Sequence, residues 1–204
     1  KTNYKLLYLL VMKEVKLRIP TEWSDITVEV YQKYVKLQES KTEGEKLVVK
    51  SLALLCNTTE QVVMQMEYRD LLEIMDVLKK MLDAEPGDIP FSKVFKFKDE
   101  EYGFVPNLSK LSTGEYIDLE AYCKDDPMQN LHIIMSVLFR KVVNKRNERY
   151  SIEPYDPDQF KEELFKDCPM NVALGALGFF LTLGLNLENA SHRFLTEQGK
   201  KQKA

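Results

Sequence analysis

Cysteine is scarce in this chain of 204 residues: Cys56, Cys123 and Cys168 are odd in number and scattered. That excludes the disulfide framework of a small secreted domain and points to a reducing compartment. Histidine is scarcer still. His132 and His192 stand 60 positions apart and no Cys-x-x-Cys pair accompanies them, so the spacing of a zinc site is missing. Only 8 glycines and 8 prolines exclude collagen-like or linker material. Neither sign of charge dominates: 29 basic against 32 acidic side chains leave a net charge of −3, which argues against a dedicated nucleic-acid binder. Long hydrophobic runs are also lacking. Leu6 to Met12 is short and is followed by Lys13-Glu14-Val15-Lys16 rather than a cleavage site. The run from Val172 to Leu187 is interrupted by Thr182, Asn186 and three glycines and falls short of the roughly 20 apolar residues of a membrane span. It reads as a buried core helix, its glycines permitting close packing.

What remains is a chain with 44% hydrophobic residues, too many for a disordered segment, and long enough to bury roughly 70% of the surface its unfolded form exposes. Residues 1–11 read as a leader upstream of a start at Met12. Lys13 to Ile19 alternates charged and apolar residues, predicting a short strand before Pro20. Trp23 reads as a plug over the core. Thr27 caps a helix bearing Val28, Tyr31, Tyr34 and Val35. Thr42 with Glu45, and Thr58 with Gln61, suggest capping boxes for two more. The clearest period is Tyr68, Leu71, Leu72, Met75, Leu78 and Leu82, an amphipathic helix ending before Pro86-Gly87. Val94 to Lys98 alternates, Asp99-Glu100-Glu101 turns, and Tyr102 to Val105 returns, predicting a β-hairpin. Tyr116 to Leu119 follows a turn, with Asp118 and Glu120 at a strand end. Asp126-Pro127 and Asp156-Pro157 then open two helices, the first burying Met128, Leu131, Met135, Leu138 and Phe139, the second presenting Phe160 and Leu164. Pro169 opens the last apolar helix. The fold class expected is mainly α with a small β-hairpin insert, a compact helical bundle. Its parts are an N-terminal strand plus helical half (12–83), the hairpin insert (84–124), a C-terminal helical half (125–196) and a basic tail (197–204).

No reactive constellation stands out. Cys123 with His132, or Cys168 with His192, lacks anything that fixes a nucleophile–base geometry. The carboxylates at 99–101, 118–120 and 125–126 read as turn, strand-end and cap residues. Gly175 to Gly178 lacks the Lys-Ser/Thr of a phosphate loop. The reading is therefore a non-enzyme with no cofactor and no metal. Arg140 to Arg149 is the strongest charge asymmetry, read as a flexible basic loop after a helix end, or as a contact for an acidic partner or nucleic acid. Base stacking is not suggested, because aromatic interleaving is absent apart from Tyr150.

Leu52 to Met75, with its apolar helix, Thr-capped short helix and Tyr68-Arg69-Asp70 step into a long amphipathic helix, resembles the helical core of tail assembly chaperones of tailed bacteriophages. Ile19 to Thr27, Gly114 to Leu119, Leu131 to Arg140 and Leu177 to Phe180 are similar to small phage virion assembly proteins. The resemblance covers about half the chain and rests on structural patterns. It implies a binder of a helical virion component such as the tape-measure protein, acting in the host cytoplasm during assembly. The alternative it leaves is a virion structural subunit, a connector or tail-completion protein kept in the particle. The partners implied are phage structural proteins, with room for a homo-oligomer. The candidate contacts are the methionines Met64, Met66, Met75 and Met81, whose flexible side chains suit adaptable grooves, and the cations Arg140, Lys141, Lys145, Arg146 and Arg149.

Overall fold

A computed structural model describes residues 17–84, 89–147, 149–157 and 162–179. The expected leader, the basic tail, Asp158 and Gln159 of the second helix start, Phe160, residues 180–187 of the last apolar run and His192 lie outside the described residues. Leu17 to Pro20 is irregular rather than a strand, yet Leu17 and Ile19 are buried. A short 3-10 turn, Trp23–Asp25, brings Trp23 edge-on against Tyr31 with ring centroids 5.3 Å apart. The tryptophan is buried, as a plug should be.

The N-terminal helices are α1 (Val28–Gln38), α2 (Gly44–Leu55), α3 (Glu60–Met64) and α4 (Tyr68–Leu82). Thr27 caps α1 by accepting the Val30 N–H. The other two caps differ from the spacing argument. Glu43, not Thr42, stands at the N-cap of α2 and makes no side-chain cap bond. At α3 the cap is Thr59, which accepts from Val62 N–H. Both caps lie one residue from the spacing argument, within the one or two residues by which helix ends vary.

The hairpin is present, with a tighter turn than the sequence suggests. Strands β1 (Val94–Phe97) and β2 (Glu100–Phe104) pair antiparallel, with Phe97 opposite Glu100. The turn is Lys98-Asp99, both at positive φ (47° and 65°), rather than Asp99-Glu100-Glu101. A two-residue turn of this kind matches the strand twist. Helix α5 (Thr113–Asp125) follows, so the segment read as a strand at Tyr116–Leu119 is helical. Ser112 and Glu115 form its capping box. The preceding capping signal, Asp126, accepts from Gln129 N–H at 3.0 Å and closes a turn, and α6 (Leu131–Leu138) starts after it.

The largest departure follows. Helix α6 runs without a loop into β3 (Phe139–Arg146), which pairs with β4 (Arg149–Ile152), where a basic loop was expected. The sheet is four-stranded and antiparallel in the order β1-β2-β3-β4, so it crosses the boundary drawn at 124/125 between insert and helical half. Burial along β3 falls off from Phe139 to the exposed end rather than alternating, so the usual strand signal is missing. Helix α7 (Glu162–Lys166) and α8 (described over residues 170–179) are the last elements among the described residues, with Pro169 just before α8 as expected. Thr27 and Pro169 form a bridge, and Val28 N–H donates to Cys168 O, so the two chain halves meet there. Mainly helical with a small antiparallel sheet, the fold belongs to the expected class.

Sheet and helices join through aromatic rings. Phe139 meets Phe95 at 5.1 Å and Phe104 at 5.2 Å, and Tyr102 meets Phe165 of α7 at 5.5 Å, all edge to face. Successive residues of β2 face opposite ways, yet Tyr102, Gly103 and Phe104 are all buried. The second face is covered by Tyr150 of β4, whose hydroxyl donates to Phe104 O at 2.7 Å. A Cβ on Gly103 would lie 2.6 Å from the Tyr150 ring. Gly175 of α8 allows a similar close approach, to Pro90 O at 2.9 Å. Its role is packing, as the sequence suggested, though against irregular backbone rather than another helix.

One buried ion pair ties α5 to the sheet. Arg140 Nη1 stands 2.6 Å from Glu115 Oε1, with side chains 14% and 6% exposed. Burial pushes the Glu115 carboxyl up. The Ser112 N–H and hydroxyl and the Arg140 guanidinium outweigh it and hold the group below its usual range. A depressed carboxylate pKa stabilises the fold above its unfolded value of about 4.3, and the stabilisation fades as pH falls through the folded value.

Two outcomes are expected. Gly103→Ala should lower stability by about 1–3 kcal/mol through overpacking against Tyr150, read from urea denaturation midpoints. Arg140→Met should cost about 3–5 kcal/mol at neutral pH by leaving Glu115 buried and unpaired. That gap should narrow below about pH 4.3, as Glu115 takes up a proton, in parallel denaturation series against pH.

Candidate functional site

Helix α4 carries more apolar surface than the core uses. At about 100° per residue, Ile74, Leu78 and Met81 fall on one strip, and each is at most 4% exposed. Tyr68, Leu72, Met75 and Leu82 fall on the adjoining strip, spaced by four, three and seven. Tyr68 is 74% and Leu72 47% exposed, while Met75 and Leu82 are half-buried. From Tyr68 to Leu82 the strip runs about 21 Å along the helix.

Its lower half forms one wall of a groove of about 380 Å³. The floor is Leu52, Leu55 and Leu78, all core residues. Met75, Lys79 and Leu82 stand on one side, and Leu47, Val48 and Ser51 of α2 on the other. Tyr34 and Gln38 of α1 close the end, where Gln38 Nε2 donates to Ser51 Oγ at 3.0 Å. Burial pushes the Tyr34 phenol above its usual pKa. The lining is apolar with a few polar groups at the margin, the composition of a surface that takes side chains rather than performing acid–base chemistry.

The methionines expected to act together are dispersed by the fold. Met75 lines the groove. Met64 is 71% exposed at the end of α3, and Met66 is half-buried between α3 and α4. Met81, at 4% exposure, is spent in the core. Tyr34, Leu47 and Val48 complete the groove without any sequence signal that could have joined them to α4, since helix packing alone brings them together.

The expected cations are also dispersed, and mostly matched. Arg140 pairs with Glu115, Lys141 with Glu100 at 2.5 Å, and Lys145 with Glu101 at 2.9 Å. Arg146 and Arg149 are exposed at the hairpin end. A polar cleft of about 490 Å³ beside β3 includes Arg140, Lys141, Glu153, Tyr155 and Asp156. Its groups are engaged with protein: besides the two cations already paired, the Tyr155 hydroxyl donates to Asp118 and its ring receives the Arg140 guanidinium at 5.7 Å. Burial, then the Asp118 contact, raises the Tyr155 pKa.

The cysteines offer no activated nucleophile. Burial pushes the Cys56 and Cys168 thiols up to about 12 and raises that of Cys123, whereas reactive thiols are depressed. His132 Nδ1 stands 3.0 Å from Gln32 Nε2, which also donates to Met128 O and Gln129 O, a structural bracket between α1 and α6. Among the described residues no group of three or more His, Cys, Asp and Glu could hold a metal ion, and no helix is long and apolar enough to cross a membrane.

Comparison with protein-family models finds no match, and no curated protein or solved structure matches significantly. The groove is therefore read from its own chemistry.

The two strips of α4 should respond differently to truncation. Ile74→Ala should cost about 2–5 kcal/mol, while Tyr68→Ser and Leu72→Ser should each stay within about 0.5 kcal/mol, all three measured by chemical denaturation.

Proposed function

We propose that the chain is a non-enzymatic assembly factor of the tail assembly chaperone kind, holding an amphipathic helix of a phage structural protein such as the tape-measure protein. The observation that supports this reading is the unspent apolar strip of α4, continuous with the groove between α1, α2 and α4. Exposed apolar surface of this kind on a helical protein marks a contact site. An incoming helix laid along the strip would place anchor side chains at i and i+4 or i+7 against Met75, Leu82 and Val48 and shield Tyr68 and Leu72. Met75 adapts to anchors of different shape, as a holder of a long, repetitive helical client requires. The resemblance of Leu52 to Met75 to tail assembly chaperones supplies the choice of client.

Co-expression with tail genes tests it. The wild type should co-purify with the client helix under mild salt. Val48→Asp and Met75→Glu, both at half-buried positions, should fold and lose the complex. A folded variant that retains the client at wild-type yield would remove the groove reading. Mass spectrometry of purified particles should find the protein absent from finished virions. Its retention there would favour a structural subunit instead.

A further inference from the structure

The β3–β4 hairpin carries its pairing of opposite charges only part of the way. Nearest the core Arg140 meets Glu115, then Lys141 meets Glu100 and Lys145 meets Glu101. Beyond these, Arg146 stands directly opposite Arg149, and Asn144 opposite Ser151. Opposed residues project from the same face of a strand pair, so these four side chains share one face. All four are exposed. Neither arginine has an ion pair among the described residues, and like charges set directly opposite each other destabilise a hairpin. Neighbouring positions on β3 avoid that cost with glutamates, whereas this face bears it.

We propose that the Asn144–Arg146–Arg149–Ser151 face is a docking site for an acidic helix of a partner protein. Cβ atoms of opposed strand residues lie about 4.5–5.5 Å apart, and carboxylates at i and i+4 of a helix project from Cβ atoms about 5–6 Å apart. Each guanidinium therefore meets one carboxylate, with the two-donor geometry that arginine favours. Asn144 and Ser151 supply neutral hydrogen bonds beside the charged pair. Nucleic acid is disfavoured. Two cations are a small share of the contacts that phosphate binding draws on, and the nearby Tyr150 ring already covers Gly103. This face is separate from the groove of α1, α2 and α4, and the inference holds whatever occupies that groove.

The test uses the full chain and three fluorescein-labelled probes: an alanine-based helical peptide with glutamates at i and i+4, its glutamine counterpart, and a single-stranded DNA oligonucleotide. Anisotropy titrations at low and physiological salt should show binding of the glutamate peptide only, weakening as salt rises. R146Q/R149Q should lose at least about tenfold in affinity, and K145Q, on the opposite face, less than about twofold. Equal binding by R146Q/R149Q and wild type, no binding of the glutamate peptide, or tighter binding of DNA would overturn the proposal. Thermal denaturation supplies a further check. The midpoint of R146Q/R149Q should equal or exceed that of wild type, since the like-charge opposition is gone. A lower midpoint would assign the arginines to the fold and overturn the docking role.

Discussion

Helix α6 sets the constraint on which the rest of the architecture depends. Leu131–Leu138 is buried nearly all round: Leu131, Ile134, Met135, Ser136, Val137 and Leu138 are buried, and its two polar side chains are taken up within the protein, His132 beside Gln32 and the Ser136 hydroxyl donating to Ile133 O. A helix apolar on every side is stable only when surrounded. Here α5, α7, α1 and the start of β3 surround it. Because Phe139 follows Leu138 with no intervening loop, burying α6 also fixes where the sheet begins. The aromatic contacts of Phe139 with Phe95 and Phe104 follow from that placement.

Polar groups in this arrangement serve mainly to close it. Gln32 reaches from α1 to the carbonyls of Met128 and Gln129, and Gln129 Nε2 answers by donating to Gln32 O. Glu115 and Arg140 do the same between α5 and β3. Such pairs are costly to bury and costlier to break, so they specify one docking of elements more than they add to stability. The chemistry available at the surface is correspondingly sparse: apolar on α4, cationic at the hairpin end.

Much of the helical half was legible in the sequence because its signals are local. Thr27 as a cap, the start of α4 at Tyr68 and Pro169 ahead of the last helix each depend on a few adjacent residues. The sheet was only half legible. Val94 to Val105 alternates with aromatic residues and reads as a hairpin. Phe139 to Arg146 shows no such alternation: Arg140-Lys141, Val142-Val143 and Lys145-Arg146 are adjacent like pairs, lysine, arginine and asparagine have weak strand preference, and the partner β2 lies far away in sequence. Tyr116 to Leu119 differs for another reason: Ser112 and Glu115 cap a helix there, while the run Ser112-Thr113-Gly114-Glu115 carries the residue types of a turn as well. At the candidate site, the period of α4 was visible and its orientation was not. Which strip of that helix the core would claim depends on α1 and α2, and no pattern within α4 encodes it.

The floor of the groove is built from Leu52, Leu55 and Leu78, side chains that also belong to the central core. Whatever filled the groove would therefore rest on the same atoms that hold the fold together. Any occupant that binds only the native form must raise the melting point of its host through mass action, and the host must soften when the occupant departs. Occupancy of the groove would thereby register in the heat resistance of the chain itself.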